Sequence, residues 1–276
     1  MADGDIRDVL ERIANALDRL SPPAQAPADP GDGNAWYWDG QAMRPVAEFA
    51  PLDLDLLTGI DEQKSRLLEN SQRFAEGFAA HDVLLWGSRG MGKSALVKSV
   101  AGALQGDGAD LALVEASADR LDSLPDLFRQ LSGIDRAFLL FIDDMGFDGD
   151  ESAARLLRSL LEGGASERPD NVRLYVTANR RHIVPRHMSE QDDPVHPRDI
   201  LDDKLALSDR FGIRLGFHAA SPDDYLAMVT RYAEVHELEF DPADALQWAR
   251  QRGNQSGRVA WQYIVELAGR AGKTLD

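Results

Sequence analysis

One octapeptide carries residue types at a spacing that defines a chemistry: "GSRGMGKS", Gly87 to Ser94. It fits G-x-x-x-x-G-K-[ST] and stands between an apolar run, "DVLLWG", and a helical pattern that begins at Lys93. Gly87, Gly90 and Gly92 let the backbone turn tightly. The N–H groups of Ser88, Arg89, Met91 and the residues up to Ala95, with the start of the helix, then face a phosphate. Lys93 would set a point charge near the β and γ phosphates, and Ser94 would offer a hydroxyl to Mg²⁺.

A second constellation follows about fifty residues on. "FLLFIDDMG" is an apolar strand that ends in Asp143 and Asp144. In an open parallel sheet such a strand delivers its carboxylates to the edge where the phosphate loop also lies. Asp143 is expected to hold Mg²⁺, mainly through its water ligands. Asp144 is expected to face the γ-phosphate and to orient or deprotonate a water. Most nucleotide hydrolases of this kind carry glutamate there, so Asp144 works on an arm one methylene shorter. The next strand ends in "YVTANRRH", where the Asn179 amide can donate to and accept from the same water without titrating.

These groups need a sheet to position them. Five short apolar runs, 82–87, 111–116, 138–143, 172–179 and 213–218, alternate with helical patterns at Lys93–Leu104, Ser152–Leu161 and Ile200–Leu207. Strands alternating with helices imply a five-stranded parallel sheet covered on both faces, a three-layer α/β/α arrangement. After about Ser221 the strands stop. Ser221-Pro222 and Asp241-Pro242 each place a capping residue before a proline suited to a first helical turn. With Arg258–Ala271 they predict a small all-helical domain. The expected division is an amphipathic helix over 1–20, a linker over 21–35, a nucleotide-binding domain over 36–219 and a helical lid over 220–276.

The chain of 276 residues is long enough for this plan, and its net charge of −17 disfavours a broad nucleic-acid or anionic-membrane interface. Without cysteine there is no disulfide framework and no thiolate site. No apolar run approaches the roughly 20 residues of a membrane span, and the acid-rich N-terminus lacks a signal peptide's core, so a cytoplasmic protein is expected. Ile6, Val9, Leu10, Ile13, Leu17 and Leu20 form one apolar helix face. It serves docking or self-association, or it lies on its own domain. "SPPAQAPADPGDGN" after it reads as a linker, and Trp36, Tyr37 and Trp38 as an anchor of that linker or a stacking surface. His182, His187 and His196 lie in a proline-rich stretch at spacings that match no tight metal-ligand pair. Arg180, Arg181, Arg186 and Arg198 make that stretch locally basic, suited to a subunit contact or a small nucleic-acid contact.

Taken together, these segments resemble the AAA+ P-loop ATPases over roughly Leu52 to Arg270. More narrowly, "LLWGSRGMGKSALVK", "FIDD", "TANRRHIVP", "LSDRFG" and "SGRVAWQ" resemble a bacterial AAA+-type group known mainly as a domain of unknown function, whose members also carry Asp-Asp. The resemblance implies that "LLTGIDEQKSRLLEN" lies near an adenine pocket. It implies that Arg210 of "LSDRFG" is an arginine finger acting on a neighbour's nucleotide, hence a ring or open ring. It implies that Arg258 is a second sensor reaching the γ-phosphate. The region after the second of the five strands, "EASADRLDSLPDLF", lacks the aromatic–hydrophobic–glycine loop of the family's threading unfoldases. The expected function is Mg²⁺-dependent ATP hydrolysis by an oligomer that remodels or loads a protein partner recruited through residues 3–20. The rivals are a slow or non-hydrolysing ATP switch that scaffolds assembly, and a DNA-associated loader.

Overall fold

The computed structural model describes residues 29–146, 151–162, 168–179 and 207–275. The amphipathic segment 1–20, the linker to residue 28, the basic stretch 180–198 and nearly all of the helix expected at Ile200–Leu207 lie outside them.

Seven strands form one sheet: β1 (Ala35–Trp38), β2 (Met43–Pro45), β3 (Val83–Gly87), β4 (Leu111–Ala116), β5 (Ala137–Met145), β6 (Val172–Asn179) and β7 (Ile213–Phe217). Their order is β2-β1-β4-β5-β6-β3-β7. Every pairing is parallel except β1 with β2. Helices α1 (Asp61–Ala75) and α2 (Lys93–Gly106) precede β4; α3 (Leu124–Leu131) and α4 (Glu151–Glu162) flank β5. The side chains of β5 alternate between two cores. Leu139 and Phe141 face α2, whereas Phe138, Leu140 and Ile142 face α3. Both faces are covered, so the strand reads as an unbroken apolar run.

The sheet has two strands more than the five expected. "AWYW" hides its period of two, because all three aromatics are large. In the structure Trp36 and Trp38 are buried and Tyr37 between them is 42% exposed, as one strand requires. The Trp38 indole N–H donates to Ser123 Oγ at 2.8 Å, which seals the hairpin onto the segment before α3.

The residues just before β1, expected as linker, are tied down. The Arg136 guanidinium donates to the carbonyls of Gly31 (3.0 Å) and Gly33 (2.7 Å), and its Nε lies 2.9 Å from Asp110. Gln105 Nε2 donates to the Asn34 carbonyl at 2.7 Å. All of this sits where β4 and β5 begin.

After β7 come α5 (Pro222–Val235), α6 (Pro242–Gln251) and α7 (Gly257–Arg270). Ser221 and Asp224 form a reciprocal capping box, Asp241 accepts from the Ala243 N–H, and Ser256 accepts from the Val259 N–H. Tyr232 of α5 meets Trp261 of α7 edge-on, with ring centroids 5.3 Å apart. These helices share a continuous apolar core with the α2 face of the sheet.

Candidate nucleotide site

Parallel strands put their C-terminal ends on one edge, and there the sequence's chemistry converges. A cavity of about 520 Å³ is lined by the loop Arg89–Ala95, by Asp143, Asp144, Thr177 and Asn179, and by the first turn of α7. Gly87 is obligatory. Its φ is +135°, and a Cβ there would lie 2.0 Å from the Phe217 carbonyl oxygen of β7. That carbonyl accepts the Ser88 N–H at 2.8 Å, which fixes where the loop departs. The loop then turns over Gly90 and Gly92, at φ +76° and +87°, before α2 begins at Lys93.

Lys93 folds back under the loop. Its ammonium donates to the carbonyls of Gly87 (3.0 Å) and Ser88 (2.9 Å) and reaches Asn179 Oδ1 at 3.5 Å. Burial pushes its pKa below the usual lysine value. Asp144 and Asp143 oppose the shift, while Arg89 and Arg258 add to it. The cation is thus held in a place dry enough to want an anion.

The two acids are held differently. Ser94 Oγ and Thr177 Oγ1 each donate to Asp143 Oδ1 at 2.5 Å. Asp144 stands in the left-handed region at φ +49°. The β5–β6 register breaks there: Ile142 pairs with Val176 and Met145 with Ala178, so two residues of β5 oppose Thr177 alone. That is a β-bulge. The Asp144 N–H donates to Thr177 Oγ1 at 2.8 Å, Asn179 Nδ2 donates to Asp144 Oδ1, and Arg89 lies 3.9 Å from Oδ2.

The donors suit Mg²⁺. A hydroxyl whose proton goes to Asp143 keeps its lone pairs for a metal, and Mg²⁺ takes few protein oxygens beside water and phosphate. Among the described residues no group of three acidic or histidine side chains could hold a metal alone.

The outer wall was less legible. Leu56, Leu57 and Ile60 face Met228, Tyr232 and Trp261 across the cavity. This apolar part of the lining, beside the phosphate loop, has the character that a flat base would need. The lead-in segment was expected near it and the start of α7 was expected at the γ-phosphate, but neither α5 nor Trp261 was expected on this wall. Met228 and Tyr232 are marked only by helical spacing, which says core, and Trp261, though within "SGRVAWQ", has no role assigned to it there.

Arg258 opens α7 and lines the cavity. Its backbone N–H donates to the Gly90 carbonyl at 3.2 Å, and a Cβ on Gly90 would sit 2.9 Å from Ser256 Oγ. The start of α7 therefore rests directly on the phosphate loop. Arg210 is elsewhere. It is exposed, on the turn that precedes β7, beside Asp209, which pairs with Arg214 at 2.7 Å. That turn is at the N-terminal edge of the sheet, opposite the phosphate loop, so the structure brings together every expected site residue but this one.

The sheet order, the loop between β3 and α2 and the acids ending β5 define an AAA+ P-loop ATPase fold. Solved structures share it at low identity. The RuvB Holliday junction branch migration motor of Thermotoga maritima has a TM-score of 0.51 at 18% identity, over 82% of this chain and 68% of that one. The Aeropyrum pernix ORC1 protein in complex with DNA has a TM-score of 0.57 at 17% identity, over 80% of this chain and 64% of that one. No curated protein matches. The chain belongs to the family described as protein of unknown function (DUF815), which matches residues 32–271.

Proposed function

We propose that this protein is a Mg²⁺-dependent ATP hydrolase, active as an oligomer, that turns hydrolysis into movement of its C-terminal helices. The observation that carries the reading is the convergence of Lys93, Ser94, Asp143, Asp144, Asn179 and Arg258 on one cavity. Mg²⁺ held by Ser94 and Asp143 would neutralise charge that develops on the transferred phosphoryl group. Lys93 exchanges its loop carbonyls for phosphate oxygens. Asp144 accepts a proton from, or orients, the attacking water, and Asn179 holds both to one line. Arg258 reports the γ-phosphate to α7. Arg210, on the wrong edge for its own nucleotide, serves a neighbour's, which calls for a ring or open ring. Residues 36–219 act as the nucleotide-binding domain and 220–276 as the lid, so the Gly90–α7 contact is the hinge of the cycle.

The chemistry is tested by Asp144→Asn. Steady-state ATP turnover should fall to background while nucleotide still binds; equal turnover in both proteins would remove Asp144 from the reaction. Pull-down with that variant in ATP would identify the partner complex that we infer is remodelled or loaded through residues 3–20. A second reading, a slow switch whose output is assembly, draws support from Asp144, which rests on Asn179 and Arg89. A DNA-associated role, which RuvB and ORC1 raise, is weakened by the net charge of −17. No described helix is long and apolar enough to cross a membrane.

A further inference from the structure

Thr177 stands in "YVTANRRH" with no role assigned to it there, yet it touches both acids. It is 1% exposed and lies between Val176 and Ala178, both fully buried and apolar. The sheet has no use for its hydroxyl: valine has the same shape and at least as good a strand preference. The hydroxyl has one proton and two lone pairs to spend. The proton goes to Asp143 Oδ1 at 2.5 Å, and a lone pair takes the Asp144 N–H at 2.8 Å.

The second contact answers a problem that the bulge creates. Where two residues oppose one, an N–H loses its ladder partner. Here the single residue opposite is Thr177, and the Asp144 N–H is shared between Thr177 Oγ1 at 2.8 Å and, more loosely, Asp143 Oδ1 at 3.0 Å. The hydroxyl is the nearer of the two acceptors and the one that ties Asp144 to β6, and it holds Asp144 at φ +49°, a region that costs a non-glycine residue free energy. The bulge also re-aims the Asp144 carboxylate, which ends with one oxygen on Asn179 and the other toward Arg89. A glutamate would extend the acid by its side chain; this strand does so by its backbone.

We propose that Thr177 is a positioning residue that locks the β5 bulge, and so sets the reach of the short acid Asp144 while aiming Asp143 at the metal. The proposal rests on the ATPase reading for Asp144, but its hold on Asp143 can be read without turnover. Asp144→Glu follows as a corollary: on a bulged strand the longer acid overshoots, and turnover falls.

The test compares Thr177→Val with Thr177→Ser in the full chain. Two quantities are measured: ATP turnover, and the affinity for a fluorescent ATP analogue titrated with Mg²⁺ and in EDTA. In Thr177→Val, turnover should drop about 10- to 100-fold, and the Mg²⁺ concentration that tightens nucleotide binding should rise about 10-fold. Affinity in EDTA should not change. Thr177→Ser keeps the hydroxyl and should restore both quantities to within about three-fold. Wild-type values in Thr177→Val would overturn the proposal. So would a Thr177→Ser as impaired as Thr177→Val, since the methyl and its packing would then be the cause. Absence of turnover in the wild-type chain would instead defeat the ATPase reading, and the Mg²⁺ titration would still decide whether Thr177 aims Asp143.

Discussion

Gly90 offers a measurement of how firmly α7 is coupled to the phosphate loop. Replacing it with alanine does two things. It forces a side chain into φ +76°, which costs about 1–2 kcal/mol. It also drives a Cβ to 2.9 Å from Ser256 Oγ and 3.2 Å from Arg258 Cβ, a few tenths of an ångström inside ordinary contact. The second effect can be separated from the first. Gly133 has φ +84° with nothing within 4 Å of its would-be Cβ, so Gly133→Ala carries the backbone cost alone. Gly133→Ala should therefore lower stability by about 1–2 kcal/mol and leave ATP affinity unchanged. Gly90→Ala should lose about 1–3 kcal/mol more, roughly the cost of overpacking, and bind nucleotide at least tenfold less tightly. Gly257→Ala approaches the same contact from the other side, its Cβ 3.3 Å from the Gly90 carbonyl, without altering the loop. In a helix alanine outranks glycine, so this variant should be no less stable than wild type, yet bind ATP several-fold less tightly as Arg258 is displaced. Urea denaturation gives the stabilities, and fluorescence titration with labelled ATP gives the affinities. Equal losses for Gly90→Ala and Gly133→Ala, with wild-type ATP affinity in Gly257→Ala, would refute the coupling.

Two further outcomes are expected. Arg210→Ala should bind ATP normally but turn over little, and mixing it with Asp144→Asn should restore activity, because each supplies what the other's interface lacks; no recovery on mixing would argue against a shared site. Burial raises the Tyr175 pKa from 10 to about 12, and its hydroxyl is held by Asn70 and Ser71. Between those pH values the unfolded chain gives up this proton first, so the stability it contributes is complete below pH 10 and lost towards pH 12, about 3 kcal/mol in all. Tyr175→Phe should make that alkaline decline shallower, the rest being left to Tyr225, whose pKa is also raised to about 12, and to Tyr232 and Tyr263, whose hydroxyls burial likewise pushes up. Urea midpoints from pH 9 to 12 that fall in parallel for both proteins would count against it.

The chemistry was legible where it is written in consecutive residues. The phosphate loop, the paired acids and the apolar runs of β3 to β7 are local signals, because a strand buried on both faces must be apolar throughout. What escaped depends on where the chain comes back to. Thr177 shares a strand face with Asn179, two residues on, and that period was the one available hint. The bulge that gives Thr177 its work exists only once β5 and β6 are paired. The wall of Tyr232 and Trp261 needed the packing of α5 against α7. The hairpin of β1 and β2 was missed because three adjacent aromatics conceal which of them faces outward.

The Arg136 clamp has a consequence for force and distance. It fixes Gly31 and Gly33 beside the beginnings of β4 and β5, whereas the candidate nucleotide cavity lies at the ends of β3, β5 and β6. Nine residues of β5 lie between, about 26 Å at the rise of a strand. If residues 3–20 recruit a partner as proposed, that partner would be anchored at the edge of the sheet opposite the candidate nucleotide site. In the proposed oligomer, rotation of whole subunits would then reach the partner through the sheet, with the sheet as lever arm and the clamp as its point of attachment.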